Sequence, residues 1–339
     1  MKPYEDKWKR TKEDMNMTAH PHRHGIPPEI LALSHERDLL RRRGHYERAD
    51  ILKQQIEDAG YAVKDNPRGA HLVILPGVEV DGTEYRTTRQ LPSRLNEADD
   101  CTFSVNILAS NNAEQTRRCI DSVLRYAEAT VLEIILVDNA SLDGIDVWAA
   151  SYQQQDPRLH LIRATRRMGE AEARNAGLKQ SRGCYVLLLD NSIELTGDIF
   201  TPLAKTLEQQ NIGITGLRGL RTDDLRHFEE STEIEVEVIA GHCMAFKRTL
   251  LKQAGLFDER YRYAHFMDID FSFALRDTGV EAIVTPDLPV IRHAEQASAG
   301  VSDAERSRIT KRNFYRYLEK WGDREDLLLD EESSNSSSQ

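Results

Sequence analysis

From residue 101 onward, apolar runs alternate with amphipathic ones. "TFSVNILAS", "LEIILVD", "RLHLIRA", "CYVLLLD" and "IGITGL" are short, apolar and rich in β-branched residues. "AEQTRRCIDSVLRYA", "GIDVWAASYQQQ", "GEAEARNAGLKQS" and "DIFTPLAKTLEQQ" carry apolar residues at helical spacing. Near-continuous apolar strands separated by helices predict βαβ units and an α/β fold with a mainly parallel sheet, flanked by helices on both faces. In such sheets ligands bind beyond the carboxyl ends of the strands. Two predicted strands end there on an acid, Asp138 and Asp190.

The N-terminal part is patterned differently. Apolar residues recur at Ile30, Leu31, Leu33, Leu39 and Leu40, then at Tyr46, Ala49, Ile51, Leu52 and Ile56, with a break at Gly44-His45 and a stop at Gly60. This spacing predicts a helical hairpin. "YAVKDNPRGAHLVIL" follows as two short strands around a turn at Asn66–Gly69. The expected organisation is a flexible arm at 1–30, a hairpin module at 31–75, a polar linker at 76–100, the α/β domain at 101–322 and a disordered acidic tail at 323–339.

Composition narrows the function. The chain has 339 residues and a formal net charge of −11, so no broad basic field is present to hold nucleic acid. The four cysteines, Cys101, Cys119, Cys184 and Cys243, form no C-x-x-C pair and read as buried thiols. The longest apolar runs are too short to span a bilayer, and the polar N-terminus is no signal peptide. A cytoplasmic protein, peripheral at most at the inner membrane face, is expected.

Each candidate residue has a structural alternative. Asp138 opens "DNASLDG", where Ser141 or Asp143 would cap the next helix. Arg174 and Asn175 lie mid-helix, where a solvated face is the usual fate. Asp268 and Asp270 open an apolar-periodic helix, so capping competes with a role as general base, and Asp258 precedes them. His293 follows "EAIVTPDLPVI", read as one strand. His20, His22 and His24 of "HPHRHG" could grip a metal.

The order of the motifs is more specific than any one. "SVNILASNNAEQTRRCIDSVL", "EIILVDNASLDG", "GEAEARNAGLKQSRGCYVLLLDNSIEL", "GHCMAFKRTLLKQAGLFDERY", "MDIDFSFALRDTG" and "IRH" occur in sequence. Together they make the chain resemble GT-A glycosyltransferases of family 2. The resemblance implies a nucleotide-diphospho-sugar transferase fold and inverting transfer from a nucleotide-sugar donor to a glycan or lipid-linked acceptor. It implies nucleotide-sugar contacts for Asp138, Arg174, Asn175 and Asp190, a catalytic base at Asp268, and a divalent metal (Mn²⁺ or Mg²⁺) at Asp190 and His293. Two departures fall on this chemistry. Ser192 stands where the family's Asp-x-Asp motif has its second acid, and Met267 where a Glu usually precedes Asp268. The alternative is therefore a catalytically degenerate member that binds a nucleotide sugar or serves as an interaction module.

"HERDLLRRRGHYERADILKQQIEDAGYAVKDNPRGAHLVIL" resembles the small C-terminal module of cysteinyl-tRNA synthetases. From Ser34 to Asp58 six Lys/Arg balance six Asp/Glu. That favours a protein partner for the hairpin over RNA, and DNA is not expected.

Overall fold

The computed structural model describes residues 25–66, 69–261, 263, 266–294 and 302–329. The chain divides into two units, residues 1–75 and 76–339.

In the first unit α1 (Pro28–Arg42) and α2 (Tyr46–Asp58) form a hairpin, followed by the antiparallel pair β1 (Tyr61–Asn66) and β2 (Gly69–Ile74). Pro28 takes the first helical position, where a missing N–H costs nothing. The helix thus begins inside the segment expected to be a flexible arm. The chain reverses at Gly44, whose φ of +79° suits glycine. The buried seam of α1 is Ile30, Ser34 and Arg37, one residue per turn. Arg37 is 1% exposed. It donates to Asp65 Oδ1 and Oδ2 at 2.8 and 2.9 Å, which holds the Asp65 carboxyl below its usual range. Leu31, Leu39, Tyr46 and Ile51, expected on the apolar seam, are exposed. The three N-terminal histidines and the Pro67-Arg68 turn lie outside the described residues.

The second unit is built on a nine-stranded sheet. Its elements begin with β3 (Val78–Val80), β4 (Thr83–Tyr85), β5 (Cys101–Ala109), α3 (Ala113–Tyr126), β6 (Leu132–Asp138), α4 (Ile145–Gln153), β7 (Leu159–Ala164), α5 (Glu170–Gln180) and β8 (Gly183–Leu189). Next come β9 (Ile193–Leu195), α6 (Phe200–Leu207), β10 (Ile212–Gly216), β11 (Gly219–Arg221), β12 (Glu229–Ser231), β13 (Val238–Ile239) and β14 (Cys243–Lys247). The chain continues through α7 (Leu251–Ala254), α8 (Met267–Arg276), β15 (Glu281–Val284), β16 (Val290–Arg292) and α9 (Asp303–Trp321). The sheet order is β15-β10-β14-β8-β5-β6-β7-β3-β4, and all strands but β3 and β14 run in one direction.

The apolar runs are explained by burial on both faces. Ile134, Leu136, Leu187 and Leu189 join one core with Ile120 and Val123 of α3 and Leu203 of α6. Their neighbours Ile135 and Val137 meet Ala173 and Ala176 of α5. Val186 and Leu188 meet Phe271 and Leu275 of α8. Helix α5 sits close on β5 because Gly177 has no side chain there. A Cβ would fall 2.3 Å from Asn106 Oδ1.

Three expectations are corrected. Residues 76–100 are not a linker throughout: β3 pairs with β7 and folds back on β4. Their alternating charged residues concealed an edge hairpin. Further along, Arg248 donates to the carbonyls of Arg94 and Glu97 and to Asp99 Oδ1, which pins the approach to β5. "EAIVTPDLPVI" is two strands in different sheets, because Pro286, Pro289 and Asp287 at φ +56° break the run. The expected tail is docked as far as Leu329. Leu327 is buried, its carbonyl accepts from Arg276, and the Leu329 N–H donates to Glu237. Residues 330–339 lie outside the described residues. No described helix is long and apolar enough to cross a membrane.

Candidate functional site

The site gathers at the carboxyl ends of β5, β6 and β8. Asp138 ends β6, opposite Ala109 of β5. Asp190 follows β8 on the other side of β5. One strand thus separates the two acids, about 10 Å at two strand spacings. Asp138 is 1% exposed. Burial pushes its carboxyl above the usual range, partly offset by hydrogen bonding from Ser141, whose N–H donates to Oδ1 at 2.9 Å. The adjoining Asn139 accepts from the Met168 N–H and donates to the Met168 carbonyl, which ties the end of β6 to the entry of α5. Asp143 accepts from the Ala113 N–H at 2.7 Å and from the Ile145 N–H at 3.3 Å. It therefore serves the N-termini of two helices, as the capping alternative requires.

Asp190 closes a tight turn, its Oδ1 accepting from the Ser192 N–H at 2.8 Å. Its own N–H donates to the His242 carbonyl at 2.9 Å. The residue before His242, Gly241, donates its N–H to Asp268 Oδ2 at 3.1 Å. A Cβ on Gly241 would stand 3.0 Å from Asp268 Cβ, a tight contact that glycine avoids where α8 approaches the turn. Consecutive residues of one turn therefore bind the strand-end acid and the acid of α8. Asp268 is half-buried at the start of α8, after Phe266 in the left-handed region at φ +66°. Asp270, two residues on, faces the interior. It accepts from Lys320 Nζ, Trp321 Nε1 and Tyr261 OH.

His293 is brought to the same place by the two-stranded sheet β9–β16, its N–H donating to the Ser192 carbonyl at 2.9 Å. Its Nε2 lies 2.7 Å from Glu194 Oε2, and Arg118 Nε is 3.6 Å from the same oxygen. Ser192 is 1% exposed and its Oγ has no hydrogen-bond partner among the described residues. His242 Nε2 is likewise buried and unpartnered among them. Burial lowers the His242 imidazole, helped by Arg292 and Arg218 and opposed by Asp190 and Glu230.

Arg174 and Asn175 are engaged by other partners. Arg174 is 7% exposed, with its guanidinium 3.9 Å from Glu170 Oε1. Asn175 donates to the Phe257 carbonyl and accepts from the Phe257 N–H, both at 2.9 Å, and so clips α5 to the loop leading to α8. Its amide is committed to that clip, and a direct nucleotide contact from Asn175 has no support here. Gly241, His242, Arg218 and Arg292 were not singled out from the sequence. The "GHC" triplet ahead of an apolar run was the available signal for the first two.

A divalent cation fits these residues poorly. Asp190 supplies one carboxylate, Ser192 a neutral hydroxyl, and the His293 ring is engaged with Glu194. Hard cations of this kind take several oxygen ligands. Among the described residues no three His, Cys, Asp or Glu side chains stand close enough together to hold a metal.

Known proteins resemble this chain in sequence and in fold. The chain is 36% identical over 100 residues to the succinoglycan biosynthesis protein ExoO of Rhizobium meliloti (strain 1021), across 30% of this chain and 27% of that protein. It is 23% identical over 247 residues to the uncharacterized protein y4gI of Sinorhizobium fredii (strain NBRC 101917 / NGR234), across 64% of this chain and 27% of that protein. The chain thus spans about a quarter of the length of these two curated relatives. Among solved structures, GalNAc-T7 with UDP, GalNAc and Mn²⁺ superposes with a TM-score of 0.56 at 18% identity, covering 67% of this chain and 49% of that one. That likeness establishes a shared GT-A fold. The model of the family described as glycosyl transferase family 2 matches residues 104–279, from β5 to the end of the turn after α8 and so across the ends of β5, β6 and β8. The chain belongs to glycosyl transferase family 2.

Proposed function

We propose that the chain is an inverting glycosyltransferase that moves a sugar from a nucleotide-sugar donor to a hydroxyl of a glycan or lipid-linked acceptor. The observation that carries this reading is the Gly241–His242 turn. It binds Asp268 through one N–H and receives the Asp190 N–H on the next carbonyl. A group that takes a proton must stand beside the donor site, and this turn holds the Asp268 carboxylate next to the strand end that carries Asp190. Asp138 is assigned to the ribose or base of the donor, at the end of β6. Arg174 lies on α5, whose entry Asn139 ties to that strand end.

In the proposed reaction Asp268 accepts the acceptor hydroxyl proton as the oxygen attacks the anomeric carbon. A new C–O bond forms on one face of the sugar, the C–O bond to the diphosphate breaks on the other, and the electron pair leaves with the nucleoside diphosphate. The configuration inverts. The half-buried setting of Asp268 reduces competition from water, and the backbone N–H of Gly241 fixes its carboxylate.

Ser192 and Met267 favour a second reading, in which the chain binds the donor without transferring the sugar. The two readings separate in one experiment. UDP-, GDP- and dTDP-sugars are titrated by calorimetry with and without Mn²⁺, and nucleoside diphosphate release is followed with glycan and glycolipid acceptors. Release that disappears in Asp268→Asn supports transfer. Binding with no release under any condition supports the second reading. No binding of any donor sinks both.

A further inference from the structure

The outer face of α9 carries a charge pattern at odds with the rest of the chain. Arg306, Arg308, Lys311 and Arg312 fall within seven residues with no acid among them, in a protein of net charge −11. All four side chains are exposed, and none has an ion pair among the described residues. Arg308, Lys311, Arg312 and Tyr315 are spaced i, i+3, i+4 and i+7 and so share one side of the helix. Tyr315 is 58% exposed. Glu305 and Glu319 flank the run and leave it net positive. The opposite side is committed to packing, with Asn313, Tyr317 and Trp321 buried. Arg316 Nη1 donates to the Arg260 carbonyl at 2.8 Å, which brings the loop of the exposed Tyr263 alongside the same helix.

Contacts between α8 and α9 fix where this run lies. The two helices run side by side in the same sense: Phe314 meets Phe266 at 5.4 Å between ring centroids, Tyr317 meets Phe273 at 5.6 Å, and the Leu327 carbonyl accepts from Arg276. Residues 306–312 precede Phe314, so they project beyond the start of α8, at the end that carries Asp268. We propose that this basic run, with Tyr315 and Tyr263, is a docking face for an anionic lipid surface, and that it presents the Asp268 end of the domain to a lipid-linked acceptor. The acceptor rests on the transfer reading above; the docking does not. No described helix is long and apolar enough to span a bilayer, so the contact is adsorption. Each Lys or Arg held near an anionic leaflet strengthens it about fivefold. A tyrosine suits the headgroup level, its ring on the apolar side and its hydroxyl in water. Nucleic acid suits the face less well. A polyanion that tracked past this one helix would meet a net acidic protein, whereas a bilayer touches one side of the molecule alone.

The test is sedimentation of the full chain with phosphatidylcholine vesicles, with and without about one-third phosphatidylglycerol, at low and high salt. The chain binds the anionic vesicles alone, and binding falls as salt is raised. Arg308→Ala, Lys311→Ala and Arg312→Ala combined weaken it about a hundredfold, and Tyr315→Ala weakens it less. These side chains are exposed, so an unchanged melting temperature shows that the variants are folded. With a glycolipid acceptor, the triple variant loses nucleoside diphosphate release in anionic vesicles and keeps it in neutral detergent micelles. No binding to either vesicle, equal binding to both, or anionic binding that survives the triple variant overturns the docking face and leaves the transfer reading intact. A single-stranded RNA that binds more tightly than the vesicles, and is lost in the triple variant, overturns the lipid assignment in favour of nucleic acid. Vesicle binding that behaves as expected, with no release from any donor, upholds the face and removes the transfer reading and the lipid-linked acceptor with it.

Discussion

Asp270→Asn is expected to destabilise the second unit by about 2 kcal/mol, and the arithmetic follows from its contacts. The carboxylate is 4% exposed and accepts from Lys320 Nζ at 2.9 and 3.0 Å, Trp321 Nε1 at 3.0 Å and Tyr261 OH at 3.3 Å. Asparagine keeps the shape and one acceptor but turns an N–H₂ group toward an ammonium. Breaking a fully buried ion pair from one side costs about 3–5 kcal/mol. Lys320 is 31% exposed and also lies 3.1 Å from Asp258, so it keeps water and a second carboxylate, which lowers the figure to about 2 kcal/mol. For a domain of this size that corresponds to a fall in Tm of about 4–8 °C. Asp270→Ala, which also strands Trp321 Nε1, costs about 3–4 kcal/mol. Urea denaturation followed by tryptophan fluorescence measures both variants, because Trp321 reports the contact directly. A double-mutant cycle with Lys320→Met isolates the pair and should show coupling of about 1 kcal/mol. Asp270→Asn within about 0.5 kcal/mol of the parent, with no coupling to Lys320, would refute the view that this buried acid locks α9 onto the helix that carries Asp268.

Three further outcomes are expected. Asp138→Asn stabilises the ligand-free protein by about 1 kcal/mol at pH 7 while weakening UDP binding. Burial raises the folded pKa of Asp138, so its ionised form opposes folding. The gain from Asn is absent below the unfolded pKa, near about 4, grows as pH rises to the raised folded value, and is constant above it; a Tm difference that does not vary with pH contradicts this account. Ser192→Asp weakens UDP binding about tenfold in EDTA, and Mn²⁺ restores it; an equal change in both media means that residue 192 does not face the phosphates. Removal of residues 1–75 leaves a soluble remainder that melts in one cooperative transition by calorimetry, since all nine strands of the large sheet begin at Val78 or later; aggregation of that remainder would count against it.

The central strands were legible because a strand buried on both faces has no polar side to dilute its pattern. Every residue of β6 is buried, and its sequence is an unbroken apolar run apart from Glu133 and the terminal Asp138. The strands that escaped notice lack this property. In β3 and β4 the charged Glu79 and Glu84 pair across the hairpin at the sheet edge, so the segment reads as polar. Strand β14 is apolar but follows long irregular sequence. Its insertion antiparallel between β8 and β10 is a long-range pairing that no local pattern encodes. The docked end of the chain was hidden by composition. Its acids and serines dominate the count, while among its described residues Leu327 alone is fully buried.

At the site the same logic divides what could be read from what could not. The placement of Asp138 and Asp190 at strand ends was legible because apolar strands ending on an acid are visible in sequence. The contacts of Asn175 could not be read from sequence, because a mid-helix asparagine can face either way. Its true partner, the Phe257 backbone, lies 82 residues along the chain. The two departures from the family pattern differ in physical kind. In the turn after Asp190 it is the backbone N–H of residue 192 that the Asp190 carboxylate holds, while the Ser192 side chain is buried with its Oγ unpartnered among the described residues. Met267 instead packs, 4% exposed, in the core cluster with Tyr261 and Phe271. A glutamate in its place would put a carboxylate among apolar side chains, at a cost of several kcal/mol unless it found a partner. The serine at 192 leaves one carboxylate fewer in a turn held through its backbone, whereas the methionine at 267 is built into the packing of α8. Asp268 keeps its hold on Gly241 through both.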